Sequence, residues 1–402
     1  MVLQNVDSQL GWYRKIMDSH LISNDPMSRV PGPMRKILAK GDAFFDVHCH
    51  VFSYRDVPDK FLGIRIPQNE RLLSYLEKIL HKIINSSDTD KLSNLAYFIN
   101  FLRTRTTTEI SEKLFNYYPG KNLIICPLMM DLAPGIGGRI IDDFQIQIEK
   151  IKVLRDKFPE KILPFIALDP NNPLMKENFL KVFNMQGGYN FFGVKIYPSL
   201  GYLPSHPHLM EIYSICEEKK IPVTAHCSGA IVHTGKKKIR DIPGVHQNSD
   251  GSWSDEPVTI SFRRRSDYAN FFNQPANWNP VLSAFPDLKL NLAHFGGDEA
   301  WQKYTSGYAE NWVNRIIDMV YRYKNLYTDF SYTFYKKEYS EALKKLLIKN
   351  EELSSRVLYG SDYYMVVSEG HFRSLKTSFT TTMGDELMKK IAKENPTRFL
   401  FA

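Results

Sequence analysis

Disulfide chemistry has almost nothing to work with in this chain. Only four cysteines, Cys49, Cys126, Cys216 and Cys227, are spread over 402 residues, and no two form a C-x-x-C pair. A disulfide framework and a thioredoxin-type motif are both excluded. Long apolar runs are missing too. The opening MVLQNVDSQLGWYRKIMDSH holds no hydrophobic signal core, and no later stretch approaches membrane-spanning length. Internal repeats and low-complexity segments are absent. The expectation is a soluble, cytoplasmic chain with no membrane partner. Charge is mixed, with 52 Lys and Arg against 44 Asp and Glu, a net +8. The excess gathers in two short clusters, Lys236–Lys238 and Arg263–Arg265. No nucleic-acid motif accompanies them, so nucleic acid is not an expected partner. What is present is ordinary globular material, 43% hydrophobic and 24% charged, enough to bury a full core.

From residue 44 onward, short apolar runs alternate with helical patterns. The strand candidates lie near 43–50, 122–130, 161–169, 191–198, 221–228, 288–295, 325–332 and 356–363. Most are continuous apolar runs, as strands covered on both faces require. Eight of them, each with room for a following helix, predict a distorted (β/α)8 TIM barrel. Ile141, Phe144, Ile148 and Ile151 mark one packing helix, and Leu209, Ile212 and Cys216 another. Trp301, Tyr304, Tyr308, Trp312, Ile316 and Val320 read as one long aromatic core stripe. Residues 1–40 read as an N-terminal extension and 41–402 as the barrel domain. Two insertions interrupt it: a helical one near 66–118 after strand 1, and a long polar loop near 229–275 after strand 5. Both rise from the face where a barrel keeps its active site.

The stretch FFDVHCHVFS places Asp46, His48 and His50 at alternate positions. Strict alternation puts Phe44 with them on one face, and Phe45, Val47, Cys49 and Val51 on the other. His48 and His50 end the first strand, Lys195 the fourth, His226 the fifth, His294 the sixth and Asp362 the eighth. Six polar groups at the C-terminal ends of apolar runs converge on one mouth of a barrel. Imidazole and carboxylate are the donors of a catalytic metal site. Asp46 reads as an acceptor that orients a ligand imidazole or as a plain polar residue of the barrel interior, and Asp329 as a residue that could reach the mouth but is better suited to capping a helix. Tyr197 shares a face with Lys195 and is expected to touch substrate. Arg263 is a candidate carboxylate clamp from the long loop. The cysteines read as packing residues. His20, His81, His206, His208, His233, His246 and His371 lie off the strand ends and read as non-ligands. The PGIGG turn at 134–138 lacks the third glycine of a dinucleotide fingerprint and the lysine of a phosphate loop.

The ligand order, with GVKIYP, FPDLKLNLAHFGG, YGSD and NPTRFL, resembles the amidohydrolase superfamily. Within it, these phrases are similar to the amidohydrolase-related branch that includes aminocarboxymuconate semialdehyde decarboxylase. The resemblance covers about residues 43–402. It implies a metal-dependent enzyme with one divalent ion, commonly Zn2+, on His48, His50, His226 and Asp362, and His294 acting with Asp362 in proton transfer. The branch favours this one-ion form, while Lys195 keeps open a two-ion form, bridged by a carboxylated Lys195 with His226 and His294 on the second ion. The activity it implies is hydrolysis, with activated metal-bound water attacking an amide, ester or lactone carbonyl of a small anionic substrate. The alternative on the same scaffold is a lyase that decarboxylates a small unsaturated or aromatic acid. A homodimer is the default assembly.

Overall fold

Strands covered on both faces have no polar side to show, and eight such segments form where the apolar runs predict them. The computed structural model describes residues 21–59, 106–229, 232–248 and 250–402. The first twenty residues of the expected extension, most of the expected helical insertion, His20 and His81 lie outside the described residues. The barrel strands are β1 (Ala43–Cys49), β2 (Asn122–Pro127), β3 (Phe165–Ala167), β4 (Gly193–Ile196) and β5 (Val223–Ala225), then β10 (Leu290–Leu292), β11 (Leu326–Asp329) and β12 (Val357–Leu358). Six pair in parallel in the order β12-β11-β10-β5-β4-β3, and β1 pairs with β2. Isolated parallel bridges join the two sheets: Cys49 to Tyr363 on one side, and Ile125 to Ile162 and Leu128 to Phe165 on the other. The result is a distorted TIM barrel.

Register defines the two faces. Phe165 pairs with Gly193, Lys195 with Thr224, Asn291 with both Thr224 and Tyr327, and Asp329 with Leu358. These residues face inward, while their alternates Val194, Val223, Leu290 and Val357 join the large outer core with Ile148, Ile151, Phe179 and Ile212. Phe45 and Val47 cluster with the inward Phe165, Tyr327 and Leu358, whereas Phe44 packs outward on Tyr118 and Tyr359. This corrects the strict alternation expected for the first strand. A register shift between Asp46 and Cys49 inserts a bulge, the device that re-aims side chains beside active sites. It turns His48 inward directly after Val47.

Three other expectations change. The long aromatic stripe is two helices, Gly297–Thr305 and Trp312–Arg322, the second capped by Asn311. Gly307, at φ +80°, makes the break, and Tyr308 is 65% exposed rather than core. Ile141 precedes the helix Phe144–Lys157, whose cap is Asp143. The polar loop after strand 5 holds two nested antiparallel pairs, β6 (Ile239–Ile242) with β9 (Val258–Ile260) and β7 (His246–Gln247) with β8 (Trp253–Ser254). Ile239, Ile242 and Ile260 bury against Leu203, Tyr268 and Phe272, apolar positions too sparse among charges to read as a strand pattern. No helix among the described residues is long and apolar enough to cross a membrane.

Candidate metal centre

Each site residue stands at or just past a strand's C-terminal end, where main-chain pairing stops and side chains are freed. His48 and His50 come from β1, Lys195 from β4, and His226 from the turn after β5. His294 follows β10, Asp329 ends β11, and Asp362 follows β12. All seven are buried. His294 and Asp362 adopt left-handed backbone, at φ +66° and +47°. Such conformations cost of order 1 kcal/mol each and persist where surrounding structure fixes them. The Asp362 N–H donates to His48 O at 2.7 Å, tying the eighth strand's loop to the first strand.

The anchor is Asp329, which takes the less favoured of its two expected uses and reaches the mouth. Its Oδ2 accepts from His48 Nδ1 at 3.1 Å and Asn291 Nδ2 at 2.7 Å. Its Oδ1 accepts the backbone N–H groups of His294 at 3.1 Å and Ser331 at 3.0 Å, and the Ser331 hydroxyl. Burial alone would raise its pKa, but the facing His48 and His294 imidazoles and the Ser331 hydroxyl outweigh it and keep Asp329 ionised. Asp329 thus does what was expected of Asp46. Asp46 instead sits on the outward face of the bulge, where one oxygen accepts Ser361 N–H at 2.8 Å and His48 N–H at 3.3 Å. It holds the bulge and not an imidazole.

Burial pushes the Asp46 carboxyl up to about 7, against the hydrogen bonds from Ser361 and His48. The unfolded value is roughly 3.9, so the folded state binds the proton more tightly between these limits. The contribution to stability is full below the lower limit and declines as pH rises to about 7. Asp46→Asn keeps the accepting oxygen without the charge. Urea unfolding at pH 5.5 and 8 is expected to show the variant gaining on wild type with pH, by roughly 1–3 kcal/mol at pH 8.

Could these residues hold a cation? His50 Nδ1 donates to Leu128 O at 2.9 Å, and His48 Nδ1 donates to Asp329. Both Nε2 lone pairs therefore face Asp362. Asp362 Oδ1 lies 3.2 Å from His50 Nε2 and 3.6 Å from His48 Nε2. Burial lowers His48 to about 3 despite Asp329, so its imidazole is neutral. Among the described residues neither His48 Nε2 nor Asp362 Oδ1 has a hydrogen-bond partner. Two lone pairs and a carboxylate oxygen converge on one point. Donors ~2.1 Å from a tetrahedral ion stand roughly 3.4 Å apart, and 3.2 and 3.6 Å match that spacing. The residues fit a divalent cation, and His48, His50 and Asp362 form the candidate trio.

His226 stands beside this trio rather than in it. Its Nδ1 is 3.0 Å from His294 Nε2 and its Nε2 is 2.9 Å from Ser228 Oγ. Tyr197 stacks on His226 with centroids 4.2 Å apart. Lys195 Nζ is buried and, among the described residues, has no hydrogen-bond partner. Burial lowers its pKa to about 8, while Asp329 and Asp362 act to raise it. Arg263 is exposed ahead of the helix Arg265–Asn273, and among the described residues no hydrogen bond or ion pair joins it to the histidines. Cys227 Sγ contacts Asn273 O at 3.4 Å, the helix packing expected of it. His206 caps the helix Pro207–Glu218, and His233 binds Thr234 O. Ser331 was missed altogether, because a serine after an apolar run carries no local signal.

A family model described as Amidohydrolase matches residues 153–402. The chain belongs to the amidohydrolase family. Among curated proteins none matches it. Among solved structures, an uncharacterised TIM-barrel protein from Bordetella bronchiseptica shares 16% identity over 89% of this chain and 98% of its own, with a TM-score of 0.50. A 2,6-dihydroxybenzoate decarboxylase from Rhizobium shares 14% over 89% and 98%, at 0.48. A 4-oxalomesaconate hydratase from Rhodopseudomonas palustris shares 14% over 89% and 95%, at 0.47. At 16% identity the likeness to the Bordetella bronchiseptica protein is one of fold.

Proposed function

We propose that this amidohydrolase is a metal-dependent hydrolase that opens an amide, ester or lactone bond in a small substrate carrying an anionic group. The observation that carries the reading is Lys195. A buried cation without a partner costs several kcal/mol unless something pairs with it, and a substrate anion is the natural partner. His48, His50 and Asp362 would hold one divalent ion, and their nitrogen and oxygen donors suit zinc, manganese or iron. When bound, such an ion supplies a Lewis acid that polarises a carbonyl and acidifies water.

The chain's own residues do the rest. Lys195 Nζ binds the substrate anion and fixes the scissile carbonyl over the trio. Tyr197, stacked on His226, forms a flat wall against which a planar substrate lies. His294 Nε2 takes a proton from the attacking water and returns it to the leaving group, as a general base and then a general acid. Burial of the whole set keeps bulk water away and strengthens each of these interactions. The possible homodimer plays no part in this scheme, since every named group comes from one chain.

A decarboxylase reading draws on the same lysine. A carboxylate held in a dry site loses the hydration that stabilises it, and an ammonium with a pKa of about 8 is able to hand a proton to the carbon left behind. The two readings separate in one experiment on a panel of small acids, amides and lactones. Hydrolysis puts label from 18O water into a product carboxylate, and decarboxylation releases labelled carbon dioxide from a 13C-carboxyl substrate. Failure of every member with metal-loaded protein would count against both.

Lys195 also fixes a pH dependence. Its folded pKa lies below the ordinary lysine value, so the cation that binds substrate is present below about 8 and is lost above it. KM is expected to rise above pH 8 in wild type. In Lys195→Met, KM is expected to be raised at least about 10-fold at pH 7, the loss of one charge-assisted contact, and the step near pH 8 to vanish. A metal content that stays at one ion per chain in this variant argues against a carboxylated lysine bridging two ions.

A further inference from the structure

The trio His48, His294 and Asp329 has the spacing of a second cation site, yet its middle is filled. Ser331 Oγ lies 3.0 Å from His48 Nδ1 and 2.9 Å from His294 Nδ1, and it contacts Asp329 Oδ1. Ser331 is fully buried. Counting protons leaves one arrangement. Asp329 is ringed by donors, the backbone N–H groups of His294 and Ser331 on Oδ1 and Asn291 Nδ2 on Oδ2, and acts as an acceptor, so the single Ser331 proton goes to Asp329 Oδ1. The lone pairs of Ser331 Oγ then accept, which puts a proton on Nδ1 of His294 and on Nδ1 of His48, the latter shared with Asp329 Oδ2. A proton on Nδ1 leaves Nε2 with its lone pair. For both rings Nε2 is the atom turned to the mouth: His48 Nε2 toward Asp362, and His294 Nε2 toward His226.

We infer that Ser331 is a positioning residue that sets the tautomer and ring orientation of His48 and His294 together, through one hydroxyl. One of these rings belongs to the ion's trio and the other to the proton-transfer pair, so Ser331 couples the two halves of the site. It also keeps a second ion out of the His48–His294–Asp329 space. Ser331 does not act as a nucleophile, because its hydroxyl lies behind the rings, on their Nδ1 side. The inference rests on the metal-dependent reading above and deepens it. The physical warrant is that partners holding the far nitrogen of a ligand histidine raise its basicity and fix its aim, and their loss typically costs ~10–100-fold in metal affinity.

The test uses full-length apoprotein and zinc alone, with affinity measured by competition against a chromophoric chelator and no substrate present. Ser331→Ala is expected to weaken zinc binding by about 10–100-fold. Ser331→Thr, which keeps the hydroxyl, is expected to restore binding to within roughly 3-fold, a rescue that a merely space-filling serine would not give. Equal affinity in wild type and Ser331→Ala overturns the inference and leaves the metal-dependent reading standing. A wild type that takes up no zinc, manganese or iron overturns both. Should the variants fold poorly, 15N–1H correlation spectra of the wild-type apoprotein read the tautomers directly. Nδ1–H on both His48 and His294 is the expected result, and Nε2–H on either overturns it.

Discussion

Asp362→Asn is expected to empty the site and to lower kcat/KM by about 10^3-fold, roughly 4 kcal/mol of transition-state stabilisation. Asparagine is the informative replacement. Asp362 holds left-handed backbone at φ +47°, a region that asparagine tolerates and alanine does not. Its N–H still reaches His48 O, so the loop keeps its tie to the first strand. What changes is the charge that draws a cation toward the two imidazoles. Elemental analysis after loading is expected to fall from about one ion per chain to near none, with unfolding of the metal-free proteins little altered. A variant that retains both ion and activity would remove Asp362 from the ligand set.

Gly360→Ala carries the largest structural effect. A Cβ there would stand 2.6 Å from His48 Cβ, 3.1 Å from Ser331 Cβ and 3.4 Å from His48 N. The first strand has no room to retreat, because Val47 N–H bonds Tyr359 O at 3.0 Å and Asp362 N–H bonds His48 O at 2.7 Å, on either side of Gly360. Relief requires breaking one of these bonds or rotating His48 off its aim. A loss of about 2–4 kcal/mol in urea unfolding is expected, together with weaker metal binding. Gly32→Ala is the control. Nothing lies within 4 Å of a Cβ at that position, and stability there is expected to hold or to rise slightly. Equal stability of the two variants would mean that the strands separate more readily than the packing suggests.

Much of the barrel was legible because strands buried on both faces are written as unbroken apolar runs, and the polar residue ending each run marks the mouth. His48, His50 and Asp362 were readable on that basis, and they meet. The misreadings share one physical cause. Asp46 was assigned a face by local alternation, but a bulge specified by pairing with a distant strand moved it. Asp329 and Ser331 owe their roles to His48, Asn291 and His294, residues far away in sequence, and a lone acid or serine after an apolar run announces none of them. The aromatic stripe kept helical spacing across Gly307 while the backbone turned beneath it. The ribbon after β5 hid its few apolar contacts among charges.

The seam between the two sheets adds a mechanical side to the ion. β1 and β2 form a separate pair, attached to the six-stranded sheet by isolated bridges rather than continuous ladders. Two donors of the trio, His48 and His50, belong to the pair, and the third, Asp362, to the chain leaving the six-stranded sheet. An ion bonded to all three would add a further tie across that seam. Binding energy then becomes closure energy, and hydrogen exchange in β1 should slow on loading more than in β4 or β5. The catalytic centre would double as the fastener that keeps the barrel shut.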